Sequence, residues 1–425
     1  MMIDEILSNI NNEHFDKTLS KLYLDDSLFE YQRERYTRAV NRFRDLFGDR
    51  DVQIYSTPGR SEVCGNHTDH QQGKVLATSI NLDAIAVVSK SDENRIKLLS
   101  GEYPLIDICL DELAVIKSEQ GTTRALIKGV AQGLKNEGYK LGGFNAYVTS
   151  DVLMGAGLSS SAAFEGLVGV IISGLFNDMS ISPEVIAKVG QYAENIYFGK
   201  PCGLMDQMAC CVGGLIHIDF SDSKHAKLAK VTCDLNKAEL SLCIVDTKGS
   251  HSDLTHEYAA VPAEMKKVAG YFGKEVLLGI SEEEILSHIS ELREKAGDRA
   301  VLRALHLVEE NKRVDKAFSA LKDEDFDTFL DVIKASGNSS FKYLQNVYSM
   351  SDLSHQNVSL ALCISEMVIK DKGVCRVHGG GFAGTIQAFV KNESAMDYKK
   401  RMDDVFGKGA CSILKIRDTG CTRVM

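Results

Sequence analysis

The sequence contains no tryptophan, five prolines and no apolar run long enough to cross a bilayer. Its longest strongly apolar stretch, residues 166–176, is shorter than the roughly 20 residues that a membrane-spanning helix needs. Without tryptophan there is no strong aromatic membrane belt, and with so little proline there is no Pro-rich linker. We therefore expect no membrane partner.

Signals for export or disulfide bonding are also missing. The first five residues lack the basic and apolar regions of a secretory signal peptide. The 11 cysteines are an odd number and include no Cys-x-x-Cys pair, so neither a disulfide framework nor a zinc knuckle is indicated. Reduced, mostly buried thiols are the simplest interpretation, and we expect a cytoplasmic location.

Positive charge is scarce as well, with 49 basic against 59 acidic residues and a formal net charge of −10. A protein that binds the DNA or RNA backbone needs a basic face, so no nucleic-acid partner is expected. The hydrophobic share of 44% and the charged share of 25% are typical of a folded enzyme rather than a disordered chain.

A chain of 425 residues is long enough for two domains or more. We predict a helical extension over residues 1–50, a first domain over 51–225 and a second over 226–425. The second boundary is placed where a β-rich stretch gives way to a lysine-rich segment.

Hydrophobic periodicity predicts the main elements around the candidate motifs. A helix is expected over residues 31–47, followed by a short strand that ends in a turn at residues 57–59. Residues 143–148 alternate as a strand does, and residues 159–177 are apolar almost all round, as in a buried helix. Ser182 and Pro183 are a typical helix start, and that helix should run to about Phe198.

The most informative segment is Gly-Ala-Gly-Leu-Ser-Ser-Ser-Ala-Ala at residues 155–163. Glycines let the backbone approach an anion, and the N-terminus of the following helix offers free N–H groups and a positive dipole end. Serine hydroxyls could add donors for phosphate or a ligand for Mg²⁺. The alternative is an ordinary Gly/Ser turn that caps a helix.

Two other glycine-containing nucleotide-binding motifs are not supported by the sequence. The Walker-type phosphate loop, Gly-x4-Gly-Lys-Ser/Thr, does not occur. Gly379, Gly381 and Gly384 match the dinucleotide pattern Gly-x-Gly-x-x-Gly, but too few residues follow for the βαβ unit that such a site requires.

A polar window follows Gly59 and Arg60 and spans residues 66–73, after a strand and before the apolar residues Val75 and Leu76. Such a window makes a poor core and a good hydrogen-bonding surface. His67 and His70 could suggest a metal, but two ligands without a third are thin evidence. Sugar hydroxyls, each both donor and acceptor, suit this composition better.

Two carboxylates stand out further along the chain. Glu194 is predicted on a helix, and Asp206 follows Gly203 among apolar neighbours. Asp206 could be an N-terminal helix cap or a functional carboxylate, and its sequence context alone leaves both open.

Taken together, these segments resemble the motifs of the GHMP sugar-kinase superfamily, and specifically its galactokinase branch. The galactokinase signature Gly-Arg…Gly-Glu-His-Thr-Asp-Tyr…Gly is similar to residues 59–73, and Gly-x-Gly-Leu-Ser-Ser-Ser-Ala is matched in full at 155–162. Cys-Gly-Ile-Met-Asp-Gln reappears at residues 202–207 with leucine in place of isoleucine, and the Gly-rich third motif resembles residues 378–384. The order and spacing agree over roughly residues 50–425.

The resemblance implies an α+β fold of two domains, an N-terminal one like ribosomal protein S5 domain 2 and a ferredoxin-like C-terminal one. It implies an ATP- and Mg²⁺-dependent kinase that phosphorylates the 1-hydroxyl of galactose, so a small-molecule sugar and ATP are the expected partners. Such chemistry needs positioning and charge neutralisation more than covalent catalysis.

The resemblance also implies roles for individual residues. Asp206 would be the catalytic carboxylate and Arg60 would neutralise charge on the transferred group, while Ser160 and Glu194 would hold Mg²⁺. The residues expected to bind ATP are Gly155, Gly157, Leu158, Ser159, Ser160, Ser161 and Ala162. Those expected to bind the sugar are Asn66, His67, Asp69, Gly203 and Tyr258.

The chain departs from the galactokinase pattern where that family grips the sugar 6-hydroxyl. Asn66 replaces the family's glutamate, and His70 replaces its tyrosine. The loss of a carboxylate removes repulsion towards an anionic 6-substituent, and Asp-His-Gln-x-Gly at 69–73 also resembles galacturonokinases. Galactose, galacturonate and another C6-altered sugar all stay open as substrates, and a non-catalytic galactose sensor is the alternative from another functional class.

Overall fold

The computed structural model describes residues 1–152, 157–222, 226–231, 235, 237–249 and 254–425, apart from the side chains of His14 and Thr255. Within these ranges the chain forms two β-sheets with helices packed on their faces. This mixed arrangement confirms the predicted α+β fold class.

The helices of the described ranges are α1 (Ile3–Ile10), α2 (Glu13–Tyr23), α3 (Phe29–Phe47), α4 (Thr123–Asn136), α5 (Ser160–Phe176), α6 (Pro183–Tyr192), α7 (Met205–Val212), α8 (Thr255–Tyr271), α9 (Glu282–Ser287), α10 (Ile289–Ala296), α11 (Asp298–Lys322), α12 (Phe326–Ser339), α13 (Asn357–Ile369) and α14 (Asn392–Phe406). Short 3₁₀ turns lie at Asp26–Leu28, Asp69–Gln71 and Lys117–Glu119, and π-helical turns at Ala193–Phe198 and Ser340–Leu344.

The strands are β1 (Gln53–Cys64), β2 (Lys74–Lys90), β3 (Arg95–Ser100), β4 (Ile106–Cys109), β5 (Phe144–Ser150), β6 (Leu215–Asp219), β7 (Lys227–Val231), β8 (Leu240–Asp246), β9 (Gly373–His378), β10 (Thr385–Lys391), β11 (Cys411–Leu414) and β12 (Thr422–Arg423).

The first sheet runs β12-β1-β2-β5-β3-β4, with β6 paired to β2 and β7 paired to β6. Its pairs are antiparallel except for β3 with β5. Ala84, Ala86 and Val88 of β2 belong to the core beneath helices α4 to α7. The alternate residues Ile85 and Val87 pack against α1 to α3, so helices cover both faces of this strand.

The second sheet runs β11-β8-β10-β9 and is antiparallel throughout. Leu242 and Ile244 of β8 pack with α12, whereas Cys243 and Val245 pack towards α13 and α14. This sheet therefore also has helices on both faces.

The predicted helices near the motifs are confirmed. Helix α3 covers the predicted 31–47, and α5 has most of its residues buried, as its nearly uniform apolarity indicates. The Ser182 hydroxyl accepts a hydrogen bond from the N–H of Val185 and caps α6. The helix continues through the π-helical turn and ends at Gly199, whose φ of 84° is left-handed.

The predicted turn at residues 57–59 is wrong. Strand β1 runs through Pro58 and Gly59 with a register shift between Pro58 and Arg60. A β-bulge of this kind absorbs the local irregularity while the strand stays paired to β2, and pairing over a long buried strand outweighs the local turn signal.

The domain division at residue 225 stays a prediction. Strands β7 and β12 follow that residue in the sequence, and both pair within the first sheet. Among the described residues, none of the helices combines the length and the apolarity that a membrane crossing would require.

Candidate functional site

An arginine–carboxylate pair forms the centre of the candidate site. Arg60 comes from β1 just after the bulge, and Asp206 is the second residue of α7. Nε and Nη2 of Arg60 donate to the two oxygens of Asp206, each at 2.7 Å. This two-pronged geometry fixes both side chains, which lie 146 positions apart in the sequence.

The glycine-serine segment contributes three further contacts to this pair. The Ser159 hydroxyl donates to Oδ2 of Asp206 at 2.5 Å, and Nη1 of Arg60 donates to the carbonyl of Gly157. The backbone N–H of Arg60 also donates to the carbonyl of Leu158 at 3.1 Å. A Cβ on Gly59 would lie 2.8 Å from that carbonyl oxygen, so glycine allows the strand to approach the segment this closely.

Electrostatics favour an ionised Asp206. Burial by itself raises the pKa of Asp206, but the charge and hydrogen bonds of Arg60 and the hydroxyl of Ser159 together hold the pKa below its ordinary value. About a third of the Asp206 side chain, 32%, is exposed, against 7% of Arg60. The carboxylate is therefore charged at neutral pH and accessible to a ligand.

Helix α5 begins next to this pair at Ser160, directly after Ser159. Ser159 has the left-handed values φ 60° and ψ 56°, and its side chain does not cap the helix because it is bonded to Asp206. The first-turn N–H groups of α5 have no partner within the helix, as at any helix start. An anion at this end would meet free donors and the positive end of the dipole.

A second carboxylate lies on the other side of the α5 N-terminus. Glu194, in the π-helical turn after α6, accepts from the Ser161 hydroxyl at 3.3 Å and from Nε2 of Gln207 at 2.9 Å. Nζ of Lys200 lies 3.2 Å from Oε1 of Glu194. Gln207 follows Asp206 in α7, so the two carboxylates border one region.

The donor set around Glu194 suits Mg²⁺. Magnesium prefers oxygen ligands and is commonly held by one or two carboxylates together with phosphate and water. Glu194 is almost fully buried, its carboxylate already accepts the ammonium of Lys200, and a serine hydroxyl lies beside it. In this structure that hydroxyl belongs to Ser161 rather than to the predicted Ser160.

Three predicted sugar-binding side chains converge on one glycine turn between β9 and β10. The carbonyl of Gly379 accepts from Nδ2 of Asn66 at 2.6 Å. The carbonyls of the next two glycines accept from Nε2 of His67 at 2.9 Å and from the hydroxyl of Tyr258 at 2.7 Å. Successive carbonyls of residues 379–381 therefore fix these three side chains.

His67 is held neutral in this arrangement. Burial lowers the pKa of His67 to about 4, against the opposing pull of the Gly380 carbonyl. Because a carbonyl only accepts, the proton of the neutral ring lies on Nε2. Nδ1 is left as the acceptor nitrogen of the ring.

Asn66 is wholly buried and bonded to protein at both ends of its amide. Its Nδ2 also donates to Glu62 at 3.0 Å, and its Oδ1 accepts from Asn346 at 2.7 Å. Glu62 is in turn paired with the buried Arg376 at 2.8 Å. Asn66 thus joins β1 to the glycine turn, and its predicted contact with a sugar stays a prediction.

Asp69 and Gly203 lie in direct contact. A Cβ added to Gly203 would lie 1.8 Å from Oδ2 of Asp69, so the carboxylate would have to move. Oδ1 of Asp69 accepts from the N–H of His70 at 2.9 Å. The absence of a side chain at residue 203 is therefore what leaves room for this carboxylate.

The structure thus brings most of the predicted site residues into a few contacting groups. Gly155 lies outside the described residues. The described part of the chain has no cluster of three or more His, Cys, Asp or Glu suited to a metal.

Sequence reasoning did not identify Lys200 or give His378 a role. Lys200 follows Gly199 at the end of a helix, where an exposed lysine is common. His378 is buried, with Nδ1 2.9 Å from the Thr385 hydroxyl and Nε2 accepting the Glu62 N–H at 3.2 Å. Because Nε2 accepts this hydrogen bond, the proton of the neutral His378 ring lies on Nδ1. No local sequence pattern around residue 378 indicates the contact with Glu62.

Two family profiles match the chain. Residues 125–214 match the GHMP kinases N terminal domain, and residues 41–90 match the galactokinase galactose-binding signature. The first match contains α5, Glu194 and Asp206, and the second contains Arg60 and the polar window after it.

Curated relatives include galactokinases from Streptomyces coelicolor and Limosilactobacillus fermentum. Each is 29% identical to this chain, over 370 and 375 residues respectively. The matches cover 86% of this chain in both cases, and 91% and 92% of the two relatives.

Solved structures show the same fold. The Lactococcus lactis galactokinase complexed with galactose aligns with a TM-score of 0.77 at 24% identity, over 90% of this chain and 98% of that one. The Methanococcus jannaschii mevalonate kinase aligns with a TM-score of 0.61 at 16% identity, over 86% and 98%.

Proposed function

We propose that this chain is a GHMP kinase that transfers the γ-phosphoryl group of ATP to the anomeric hydroxyl of galactose. The observation that carries this proposal is the contact group of Arg60, Asp206 and Ser159 beside the N-terminus of α5. The galactokinase galactose-binding signature over residues 41–90 supports galactose as the acceptor.

In this reaction the sugar O1 forms a bond to the γ-phosphorus, and the bond from that phosphorus to the β,γ-bridging oxygen breaks. ADP leaves, and the proton of the hydroxyl moves to Asp206 or through it to water. Because Arg60 holds the pKa of Asp206 low, the carboxylate is a weak base. Its main contribution is to orient the hydroxyl and to stabilise the developing positive charge on its proton.

Arg60 has two roles in this proposal. It fixes the Asp206 carboxylate through two hydrogen bonds, and its buried positive charge lies where the attacking oxygen and the transferred group carry negative charge. Phosphoryl transfer depends largely on such positioning and charge neutralisation. The acidic chain therefore relies on local positive potential rather than on its overall charge.

The nucleotide phosphates are assigned to the N-terminus of α5, with Gly157 to Ala162 as the described binding segment. Glu194 and a neighbouring serine, Ser160 or Ser161, would hold Mg²⁺ against these phosphates. When bound, the metal would neutralise phosphate charge. The contact of Ser161 with Glu194 favours Ser161 as the serine ligand.

A substrate panel tests this proposal. We expect ADP release from purified protein to require both galactose and a divalent cation, and to fall to background when the cation is chelated. The value of kcat/KM should be compared for galactose, galacturonate and arabinose. If kcat/KM is higher for galacturonate than for galactose, galacturonate is the substrate. Sugar binding without ADP release would identify a sensor instead of a kinase.

Gly203→Ala tests the sugar side of the site. Since the new Cβ would lie 1.8 Å from Oδ2 of Asp69, the carboxylate must move, and we expect KM for galactose to rise about tenfold. KM for ATP should stay near the parental value. Steady-state kinetics with each substrate varied in turn measures both.

Gly270→Ala is the matched control, since a Cβ at this position in α8 has no atom within 4 Å. It should leave both KM values unchanged. If Gly203→Ala has the parental KM for galactose, Asp69 does not bind the sugar.

A further inference from the structure

Asp151 lies between β5 and the glycine-serine segment, and side chains of the N-terminal helix α3 hold it in place. The Tyr31 hydroxyl donates to Oδ1 of Asp151 at 3.0 Å. Nη1 of Arg35 lies 3.0 Å from Oδ2 of the same carboxylate. Both oxygens of Asp151 are thus engaged by α3.

Arg35 also ties Asp151 to the first sheet. Its guanidinium donates to Oδ1 of the buried Asp83 at 2.7 Å and to the Asp83 carbonyl at 2.8 Å. The backbone N–H of Asp151 donates to that same carbonyl at 2.9 Å. One buried arginine therefore joins helix α3, the central strand β2 and Asp151.

The charges around Asp83 make this junction rigid. Asp83 has no exposed surface and accepts from Arg417 at 3.1 Å and from the Tyr23 hydroxyl at 3.0 Å. The charge of Arg35, together with that of Arg417, outweighs burial and holds the pKa of Asp83 below its ordinary value. A buried carboxylate with two arginines is costly to disrupt, so the junction keeps its geometry.

The described part of the segment is anchored separately, at Gly157 and Leu158. Arg60 donates to the carbonyls of Gly157 and Leu158, so Asp151 before the segment and Gly157 within it are each tied to a buried arginine. Val152, next to Asp151, lies against Gly59, where an added Cβ would be 3.0 Å from Cγ1 of Val152. Both anchors therefore meet the same part of β1.

We propose that Tyr31 and Arg35 are positioning residues for ATP. Through Asp151 they hold Val152 against Gly59, the part of β1 that also contacts Leu158 of the phosphate-binding segment. The helical extension would then act on the nucleotide rather than on the sugar. This inference rests on the proposed function in one respect, the assignment of residues 157–162 to ATP.

Tyr31→Phe and Asp151→Asn test the proposal with little risk to the fold. Tyr31→Phe removes one hydroxyl from a side chain that is 45% exposed, so the packing around it changes little. Asp151→Asn keeps the shape of the side chain but removes its charge. We expect Kd for ATP to rise about fivefold in each variant, the effect of losing one hydrogen bond of ordinary strength. KM for ATP should rise in parallel, whereas kcat and KM for galactose stay within about twofold of the parental values.

Tyr343→Phe is the matched control, because Tyr343 is also 45% exposed and lies in another part of the chain. It should leave ATP binding unchanged. ATP binding is measured by calorimetric titration without sugar, and thermal unfolding without ligand is recorded for every variant.

The outcomes separate this inference from the proposed function. If the parental protein binds ATP but does not phosphorylate galactose, a fivefold loss of ATP affinity, as expected above for one hydrogen bond, still supports the positioning role while the proposed function fails. Parental Kd for ATP in both variants overturns the inference, as does an equal rise in KM for galactose. If the parental protein does not bind ATP, both proposals are wrong.

Discussion

Replacement of Asp206 by asparagine is expected to lower kcat for galactose phosphorylation by about 10³-fold. Asparagine has the same shape but no negative charge, so it cannot take or stabilise the proton of the sugar hydroxyl. KM for ATP should change little, because the proposed phosphate site is the N-terminus of α5. Coupled ADP release under saturating substrates measures the effect.

Thermal unfolding provides the control for this variant. Asp206→Asn would leave Arg60 without a charged partner, but the carbonyl of Gly157 would still accept from that guanidinium. We therefore expect a cooperative unfolding transition within a few degrees of the parental one. Parental kcat in a folded Asp206→Asn protein would show that this carboxylate is not part of the reaction.

Replacement of Arg60 by methionine is expected to lower kcat by about 10²- to 10³-fold. The variant loses the positive charge beside the transferred group and the two hydrogen bonds that fix Asp206. Arg60→Lys keeps the charge but not the two-pronged geometry, so we expect it to retain more activity than methionine does. The difference between the two variants separates charge from positioning.

Arg60→Met should also change the pH dependence. In the parental protein Arg60 holds the pKa of Asp206 below its ordinary value, so the active carboxylate form persists to low pH. Without Arg60, burial raises that pKa, and activity is lost at a higher pH as the solution is acidified. The acidic limb of the kcat/KM profile should therefore move to higher pH.

An acidic limb that stays in its parental position in Arg60→Met would show that Asp206 does not control it. A profile measured with Asp206→Asn serves as the control, since that variant lacks the titrating carboxylate. Its residual activity should have no limb that depends on residue 206.

The sequence predicted the elements that local signals specify strongly. Ser182 with Pro183, the nearly continuous apolar run of α5 and the periodicity of α3 each determine a helix through neighbouring residues alone. The turn expected at residues 57–59 failed because Pro and Gly in a long paired strand can be accommodated by a bulge. Turn propensity depends only on neighbouring residues, so it does not include the effect of pairing with β2.

The motifs also identified the residues of the candidate site, but not how they pair. Residue spacing gives no distance between Arg60 and Asp206, or between Glu194 and a particular serine. In the structure Glu194 is bonded to Ser161, although the resemblance favoured Ser160. The structure also shows hydrogen bonds of Asn66 to Glu62, Asn346 and a glycine carbonyl that no sequence pattern indicates, while its predicted contact with the sugar stays a prediction.

The first fifty residues show most clearly the difference between what the sequence predicts and what only the tertiary structure shows. Their periodicity indicates helices, and the structure confirms α3, but the sequence assigns those helices no task. Only the tertiary structure places Tyr31 and Arg35 on Asp151, because that contact joins residues more than a hundred positions apart.

By itself, the sequence determined which side chains are available for chemistry in an acidic chain: the arginine after Gly59, a glycine-serine segment and two carboxylates. The tertiary structure decided their charge states and their partners. The pKa of Asp206 depends on burial and on Arg60, and both arise only when β1 and α7 pack together. Electrostatic energies depend on distance and on exclusion of water, which the fold determines and the order of residues does not state.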